Sequence, residues 1–302
     1  LEYLEESRAR GPGVADMKGG LLIMIEALEA FLKEDRSGQL GGEILLTADE
    51  EIGSPLSRDV ISEAGRRHHL GLVFESALPG GELVSGRLGS GLFRILAKGR
   101  AAHTGRDFEK GRSALLALSE AALSCHELNQ LLPDSIVNVG RMSGGGAVNV
   151  VPDTAEAWIN VRIGEAGTGP RLEAALTEIT EHIESSRDGI TLRSEGGFAR
   201  PPKSESKADA RLHEIWNAVE DRLGLALSGK RATGGSSDGN LLSAAGLPVL
   251  DGIGIKGGDI HSEKEFAFLE SIPEQIRKTV AFLHAVAADE KTIRSLRQAP
   301  SR

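Results

Sequence analysis

Three consecutive acids stand out in the stretch TADEEIGS, residues 47–54, where Asp49, Glu50 and Glu51 follow an apolar run and precede a glycine. Adjacent carboxylates repel one another, so a cation is expected against them unless they form a solvated surface loop. Neighbouring residues of an extended chain point to opposite sides, which predicts different roles for Glu50 and Glu51. One could coordinate a metal ion while the other polarises a bound water molecule.

Three further residues have the chemistry and the setting of metal ligands. Asp16 lies between a Gly-Pro-Gly turn and a predicted helix, Glu75 ends an apolar run, and His261 lies in the glycine-rich turn GGDIHSEKEF. A hydrolytic centre with two metal ions needs carboxylate and imidazole ligands, one bridging group and a separate base beside the bound water. Each residue also has an ordinary explanation: a helix N-cap for Asp16, a turn cap for Glu75 and an exposed loop histidine for His261.

Other residues are candidates for contacts with a substrate. TGGSSDG, residues 233–239, could present backbone N–H groups to a carboxylate at a helix start, or it could be a flexible turn with Asp238 as a cap. Arg162, at the end of a predicted strand, could bind a substrate carboxylate through bidentate hydrogen bonds or form only a surface ion pair. His103, between small residues in GRAAHTGRD, is by itself typical of a surface histidine.

Alternating helices and strands are expected to position the acids. Apolar residues recur at spacings of four, three and four after Gly19, which predicts an amphipathic helix. Its apolar positions are Leu21, Ile25, Leu28 and Leu32. A short buried strand is predicted at residues 44–47, and LGLVFESALPGG repeats the pattern of an apolar run that ends in an acid and a turn. This alternation is typical of a largely parallel α/β sheet, where ligands collect beyond the carboxyl ends of the strands.

The middle of the chain predicts a different architecture. The predicted elements are a strand at 92–97, a helix at 113–132, strands at 136–141 and 156–163, a helix at 171–186 and a strand at 190–194. This βαββαβ order is ferredoxin-like. Glycine-rich stretches, SGRLGSG and EGGFARPP, bound it and are interpreted as hinges.

After these stretches the α/β pattern returns, with a helix at 208–222, a strand at 248–252 and a closing helix at 273–287. We therefore expect a catalytic domain in two parts, residues 1–87 and 200–302, around an inserted domain at residues 88–199.

Composition restricts the classes of partner. The 302 residues carry a formal charge of −9, with no basic block to follow a phosphate backbone, so nucleic acid is not expected. Glu26 and Glu29 interrupt the most apolar stretch, so no membrane span is expected. The single cysteine, Cys125, excludes an intrachain disulfide and favours a reducing compartment. No secretory signal is visible, and we expect a cytoplasmic protein.

Seven motifs occur in an order that resembles the zinc-dependent metallopeptidase and deacylase family. They are GPGVADMKGG, TADEEIGS, VFESA, AAHTG, NVVPDTAEAWINVR, ATGGSSDG and IHSEKEF. The family includes glutamate carboxypeptidase, acetylornithine deacetylase, succinyl-diaminopimelate desuccinylase and aminoacylase. The resemblance covers essentially the whole chain and is closest to glutamate carboxypeptidase. It implies a zinc-exopeptidase-like α/β catalytic domain with an inserted ferredoxin-like domain for lid closure and dimerisation.

The resemblance implies metal ligands and a base. Asp16 would bridge two Zn²⁺ ions, with Co²⁺ or Mn²⁺ as alternatives. Glu51 and His261 would complete the site of one ion, and Glu75 would belong to the other. Glu50 would be the general base that activates water and later protonates the leaving nitrogen.

It also implies contacts with the substrate. A glutamate at the position of Glu75, rather than an aspartate, favours a carboxypeptidase or deacylase over an aminopeptidase, and so a small molecule or short peptide with a free carboxylate. The carboxylate and the carbonyl would be held by Asn149, Arg162 and the backbone of Gly234, Gly235 and Ser236. His103 would cross the interface of a homodimer to stabilise the oxyanion in the partner's site.

One family motif does not occur in this sequence. Relatives carry an upstream His-x-Asp, whose histidine is a zinc ligand, whereas no histidine precedes His68. We expect an upstream part of the catalytic domain to be absent from the sequence. Asp16 and Glu75 alone should hold the second ion poorly, so substoichiometric metal and slow or no hydrolysis are expected of this chain. The alternatives are a non-catalytic dimer that binds carboxylate ligands and an aminopeptidase of the same fold.

Overall fold

The computed structural model describes residues 1–4, 7–34 and 40–296. Contacts within the chain divide it into two compact units. The discontinuous unit comprises Leu1–Arg87 and Lys203–Arg302, and the inserted unit comprises Leu88–Pro202. None of the helices in the described ranges combines the length and apolarity that a bilayer span requires.

The first part of the discontinuous unit contains short strands and two helices. These elements are β1 (Glu2–Leu4), β2 (Arg8–Arg10), α1 (Gly19–Leu32), α2 (Arg58–Arg67), β3 (Gly71–Val73) and β4 (Leu83–Arg87). The helix predicted from Gly19 is confirmed, but its buried face differs from the predicted one. Ile23 and Phe31 are buried, whereas Ile25 and Leu32 are exposed. Because α1 is apolar around most of its circumference, spacing alone does not identify its inward face.

The strand predicted at residues 44–47 is wrong. These residues belong to no strand, and Ile44 and Leu46 are 56% and 64% exposed. A strand needs a neighbour that satisfies its backbone N–H and C=O groups, and none of the strands in the described ranges pairs with this segment. Apolar character alone therefore does not identify a strand at this position.

The inserted unit has the predicted βαββαβ order. Its elements are β5 (Gly89–Lys98), α3 (Ala114–Leu131), β6 (Ser135–Gly144), β7 (Thr154–Ile163), α4 (Thr168–Ser186) and β8 (Thr191–Arg200). All neighbouring strands are antiparallel, and their spatial order β6-β7-β5-β8 is the ferredoxin-like one. Alternate residues of β5 and β7, such as Ile95 and Ile159, are buried in one core with residues of both helices, such as Leu118 and Leu172.

Most of the two glycine-rich stretches belongs to strands rather than to flexible hinges. A single residue, Leu88, separates β4 from β5, and β8 extends through Arg200, well beyond the predicted end at residue 194. Gly196 in β8 has φ +117°, and a Cβ atom there would lie 2.2 Å from the carbonyl oxygen of Leu92. Close approach of the strands therefore explains this glycine. Hinge motion about the remaining residues stays a prediction.

The second part of the discontinuous unit completes its sheets. Its elements are α5 (Lys207–Arg222), β9 (Lys230–Thr233), α6 (Asp238–Ala244), β10 (Val249–Asp251), β11 (Gly257–Gly258), β12 (Phe266–Phe268), α7 (Ser271–Ala288) and α8 (Glu290–Leu296). The predicted helices and the strand at β10 are confirmed. Strands β3 and β10 pair in parallel, as do β4 and β9, whereas β1, β2, β12 and β11 form an antiparallel sheet that the sequence pattern does not predict.

Candidate metal centre

Asp16 lies in an irregular turn, Val14–Lys18, that joins β2 to α1. Gly13, with φ +70°, precedes the turn, and Ala15 within it is buried. The N-cap residue of α1 is Lys18, so Asp16 does not cap the helix. The Asp16 side chain is 15% exposed, which leaves its carboxylate accessible to a small ligand.

A buried carboxylate holds this turn in place. Glu265 is 4% exposed and accepts hydrogen bonds from the backbone N–H groups of Gly13 at 2.7 Å and of Ala15 and Asp16 at 2.9 Å each. The sequence pattern does not single out Glu265, because its hydrogen-bond donors are backbone N–H groups, which do not depend on residue type. Its only signal is its place four residues after His261 in the motif IHSEKEF.

The acidic run forms a single helical turn, Glu50–Ile52, whose preceding acid has a structural role. Asp49 is buried and accepts hydrogen bonds from the backbone N–H groups of Leu56 at 2.7 Å and Ser57 at 3.1 Å, and from the Ser57 hydroxyl. The Ser57 hydroxyl bond is the main cause that lowers the pKa of Asp49. Asp49 therefore closes its own loop, and Glu50 and Glu51 remain as the candidates for chemistry.

Asp238 connects the two ends of the acidic run. Its carboxylate accepts hydrogen bonds from the hydroxyl groups of Thr47, at 2.8 Å, and Ser54. The N-cap of α6 is Ser237, whose hydroxyl accepts from the N–H of Gly239, so the interpretation of Asp238 as a cap is wrong. The motif TGGSSDG therefore shapes the loop that carries Glu50 and Glu51.

Asp16, Glu51 and His261 converge from three separate loops of the discontinuous unit. Nε2 of His261 lies 3.1 Å from Oδ2 of Asp16 and 3.3 Å from Oε2 of Glu51. One ligand atom from each residue lies within 4.8 Å of the others. His261 has φ +61°, a conformation that is uncommon for residues other than glycine and often marks functional sites.

The chemistry of this group fits a zinc-type ion. One imidazole and two carboxylates are ligands of the kind that Zn²⁺ accepts at about 2.0–2.2 Å. Tetrahedral ligands at about 2.1 Å lie about 3.4 Å from one another. The two separations from His261 are close to this value, and the ligand atoms of Asp16 and Glu51 lie within 4.8 Å of each other, so the three side chains are placed to approach one ion.

Glu75 follows β3 and belongs to the same electrostatic environment. Burial is the main cause that raises the pKa of Glu75 well above its usual range, and the charges of Asp16 and Glu50 raise it further, while Arg87 lowers it. Arg87 is itself bound to Asp251, at the end of β10, through two hydrogen bonds of 2.8 Å. The structure therefore brings Asp16 and Glu50 into electrostatic range of Glu75, although Glu75 and Glu50 do not belong to the three-residue cluster.

The sequence pattern overlooks Arg87 and Asp251. Asp251 has the same signal as Glu75, an acid at the end of an apolar strand, in VLDGIG. Because β3 and β10 are parallel neighbours, with Asp251 opposite Val73, the two acids lie at the same edge of the sheet. The buried Arg87 attracts both acids and lowers the pKa of Glu75, which partly offsets the repulsion from Asp251.

The remaining candidates of the discontinuous unit lie between β9 and α6. Gly234 and Gly235 are exposed, Ser236 is half-buried, and the carbonyl of Gly235 accepts a hydrogen bond of 3.4 Å from Arg87. This contact connects the glycine-rich loop to the Arg87–Asp251 ion pair. The backbone of the loop is accessible, as contact with a substrate requires.

Within the inserted unit, the structure brings His103 and Asn149 together. The carbonyl of Asn149 accepts hydrogen bonds from the N–H and hydroxyl of Thr104, at 3.0 and 3.1 Å, and His103 forms an isolated bridge with Val150. Nδ1 of His103 accepts from the N–H of Gly105, which places the proton of the neutral ring on Nε2. The exposed imidazole can thus donate a hydrogen bond.

Arg162 lies at the other end of the same sheet. It pairs with Ser90, at the beginning of β5, and with Ile136, whereas the loops of His103 and Asn149 follow the end of β5 and precede β7. Arg162 lies eight positions after Thr154 along β7, a length of about 26 Å. The structure therefore does not bring Arg162 together with His103 and Asn149.

The model of peptidase family M20/M25/M40 matches residues 3–288 of the sequence. The chain belongs to this family. The predicted relationship to the metallopeptidases and deacylases is thereby confirmed, as is the α/β fold class.

Several M20/M25/M40 relatives resemble the chain over most of its length. Carboxypeptidase G2 of Pseudomonas sp. (strain RS-16) is 28% identical over 280 residues, 90% of this chain and 66% of the relative. Succinyl-diaminopimelate desuccinylase of Methylobacterium radiotolerans is 30% identical over 273 residues, 84% of this chain and 67% of the relative. The chain thus spans about two thirds of the length of these curated relatives.

Solved structures of M20 peptidases share the fold. The aminopeptidase PepT of Bacillus cereus superposes with a TM-score of 0.74 at 23% identity and covers 94% of this chain and 75% of its own. The YXEP protein of Bacillus subtilis, described as a dinuclear metal binding peptidase, superposes with a TM-score of 0.62 at 17% identity and covers 87% of this chain and 70% of its own. At these identities the likeness is evidence for the fold alone.

Proposed function

We propose that the chain carries the metal centre of an amide hydrolase of the carboxypeptidase or deacylase type. The observation that carries this proposal is the convergence of Asp16, Glu51 and His261 at separations suited to one ion. Family membership supports it, and the names of the two relatives, a carboxypeptidase and a desuccinylase, favour a substrate with a free carboxylate.

Zn²⁺ is the ion that suits this donor set, with Co²⁺ and Mn²⁺ as alternatives. A bound ion of this kind polarises a carbonyl and lowers the pKa of a water molecule. Asp16, Glu51 and His261 would hold one ion, and Asp16 and Glu75 would offer only carboxylates to a second. We therefore expect fewer than two ions per chain, with one held more tightly than the other.

Glu50 is the proposed general base. It shares a helical turn with Glu51 but is absent from the ligand cluster, and its charge acts on Glu75 within the same site. A half-buried carboxylate beside the ligands can take a proton from the water that attacks the amide carbon. It can then deliver that proton to the leaving nitrogen.

Substrate contacts are proposed for both units. In the discontinuous unit, the accessible backbone of Gly234, Gly235 and Ser236 would bind the substrate's carbonyl or carboxylate. In the inserted unit, Arg162 would bind the carboxylate as a fork, and the Nε2 proton of His103, with Asn149, would stabilise the oxyanion. These contacts would fix the free carboxylate of the substrate, and the acyl group or residue that is removed would be bound next to it.

The geometry of the inserted unit supports a homodimer. Arg162 lies near one end of β7 and the loops of His103 and Asn149 lie at the other, and the strand between Thr154 and Arg162 is about 26 Å long. A small substrate is too short to contact both ends, so we propose that His103 and Asn149 act in the site of a second copy. Edge strand β6 and the exposed Leu116, Leu123 and Leu131 on α3 are available for such an interface.

Turnover with a panel of substrates tests the proposed function. N-acetyl and N-succinyl amino acids and dipeptides are assayed with Zn²⁺, with Co²⁺ and with a chelator. Glu50→Gln should reduce turnover by about 10²- to 10⁴-fold and keep the bound metal, whereas Glu51→Gln should lose metal. Equal metal content in these two variants would contradict the assigned roles.

The outcomes also separate the alternatives. Cleavage only of substrates with a free amine would indicate an aminopeptidase. Binding of N-acyl amino acids by calorimetry, without turnover under any metal condition, would indicate a binding protein.

Mixed variants test the dimer. His103→Ala and Glu50→Gln chains each contribute one defective site residue, so mixing them should produce heterodimers with one intact site and partial recovery of activity. Sedimentation analysis of the wild type and of Leu123→Glu measures subunit association, which the substitution in the proposed interface should weaken. A monomeric wild-type chain, or no recovery on mixing two active-site variants that still dimerise, would contradict the proposal.

A further inference from the structure

The hydrogen bonds of the Glu265 side chain are all made with one short segment of the chain, residues 13–16. Its buried carboxylate accepts from three backbone N–H groups, two within the turn that carries Asp16 and one in Gly13, which directly precedes it. Oε2 accepts from Gly13, and Oε1 accepts from Ala15 and Asp16. One of the three donors is the N–H of the proposed bridging ligand itself.

The backbone of Glu265 adds two further connections. Its carbonyl accepts from the N–H of Gly11 at 3.1 Å, and its own N–H donates to the carbonyl of Ser262 at 3.2 Å. Ser262 directly follows His261, so Glu265 is tied to the turn of one proposed ligand through its backbone and to the turn of the other through its side chain. No other described residue between His261 and β12 has a side chain that contacts the Asp16 turn through such bonds.

We propose that Glu265 is a positioning residue that sets the separation of Asp16 and His261 for metal binding. This inference rests on the proposed function, because it assigns Glu265 a role through those two ligands. The carboxylate form matters, since both oxygens must accept. A glutamine presents an NH₂ group to at least one backbone N–H, where two donors then face each other.

Outer residues that orient metal ligands typically affect metal affinity by about 10- to 100-fold when replaced. We expect Glu265→Gln to weaken binding of the first Zn²⁺ or Co²⁺ ion by a factor in this range. The absorption bands of bound Co²⁺ should also change in position and intensity, because they report the ligand geometry. A residue that only stabilised the fold would leave the spectrum of the folded, metal-loaded protein unchanged.

Glu263→Gln is the matched control. Glu263 is an exposed glutamate in the same turn and undergoes the same chemical change, two residues from Glu265. Its affinity for metal and its Co²⁺ spectrum should equal those of the wild type. The thermal unfolding of each variant is measured in a chelator, which records the folding of the metal-free chain separately from its affinity for metal.

Glu265→Asp provides a second variant if the glutamine variant does not fold. It retains the charge but withdraws the carboxylate from the Asp16 turn, so the affinity and spectrum should change in the same direction. If the wild type binds metal and a folded Glu265 variant binds it with the same affinity and spectrum, the positioning role is wrong while the proposed function stands. If the wild type itself binds no metal, both are wrong.

Discussion

Arg87→Met should destabilise the discontinuous unit strongly, because it leaves a buried carboxylate without its cation. Nε and Nη2 of Arg87 each donate a 2.8 Å hydrogen bond to Asp251, and the two side chains are 8% and 0% exposed. Breaking a buried pair by removing one partner typically costs about 3–5 kcal/mol. For a unit of this size, the cost corresponds to a decrease in Tm of about 6–20 °C.

Two controls separate charge from geometry. Arg87→Lys keeps the positive charge but cannot form the bidentate pair of hydrogen bonds with Asp251, so its loss of stability should be intermediate. Arg67→Met removes an arginine that forms ion pairs with Glu43 and Glu63 at the surface, where the expected cost is below about 1 kcal/mol. Arg67→Met is the same substitution as Arg87→Met at an exposed position, so burial and pairing differ between them, whereas Arg87→Lys changes only the group at the buried position.

Urea denaturation of the metal-free chains, followed by circular dichroism, measures these differences. The double variant Arg87→Met with Asp251→Leu removes the unpaired charge, so it should be more stable than Arg87→Met alone. The reasoning would be refuted if Arg87→Met lay within about 1 kcal/mol of Arg67→Met. It would also be refuted if the two changes in the double variant were simply additive.

Two further predictions concern pH and backbone conformation. Burial lowers the pKa of His213, so its contribution to stability is present above the unfolded pKa of about 6.5 and is lost as pH falls through the folded pKa. As the pH is lowered from 8 to 5, the free energy of unfolding in urea should therefore decrease less for His213→Gln than for the exposed control His69→Gln. Equal dependence of this free energy on pH in the two variants would exclude this role of His213. Gly196→Ala should cost about 2 kcal/mol or more at its positive φ, whereas Gly146→Ala, with open space around it, should be near neutral in the same assay.

The inserted unit could be predicted almost completely from its sequence. Strands β5 and β7 alternate between buried and exposed residues, and α3 and α4 have long helical patterns, so local preference and tertiary packing agree. The boundaries were harder to place, because β8 continues through two glycines that are typical of loops. The contact between Gly196 and the facing strand, which allows that continuation, depends on a residue about a hundred positions away.

The discontinuous unit was predicted less well for the same physical reason. Residues 44–47 have the composition of a buried strand, but strand formation depends on a hydrogen-bonding neighbour that composition does not reveal. The antiparallel sheet is built from strands of two or three residues, too short for a period to be recognised. Pairing between segments that are distant in sequence therefore determines both the absence of a strand at residues 44–47 and the presence of the antiparallel sheet.

At the candidate metal centre, the order of seven motifs and their resemblance to a known family implied Asp16, Glu51 and His261 as ligands, whereas each residue type by itself left an ordinary explanation open. The tertiary structure decided which acids are available. It commits Asp49 to its own loop, and it places Glu265 beneath the turn of Asp16. Those assignments depend mainly on backbone N–H groups, which every residue type except proline carries, so only the folded chain could reveal them.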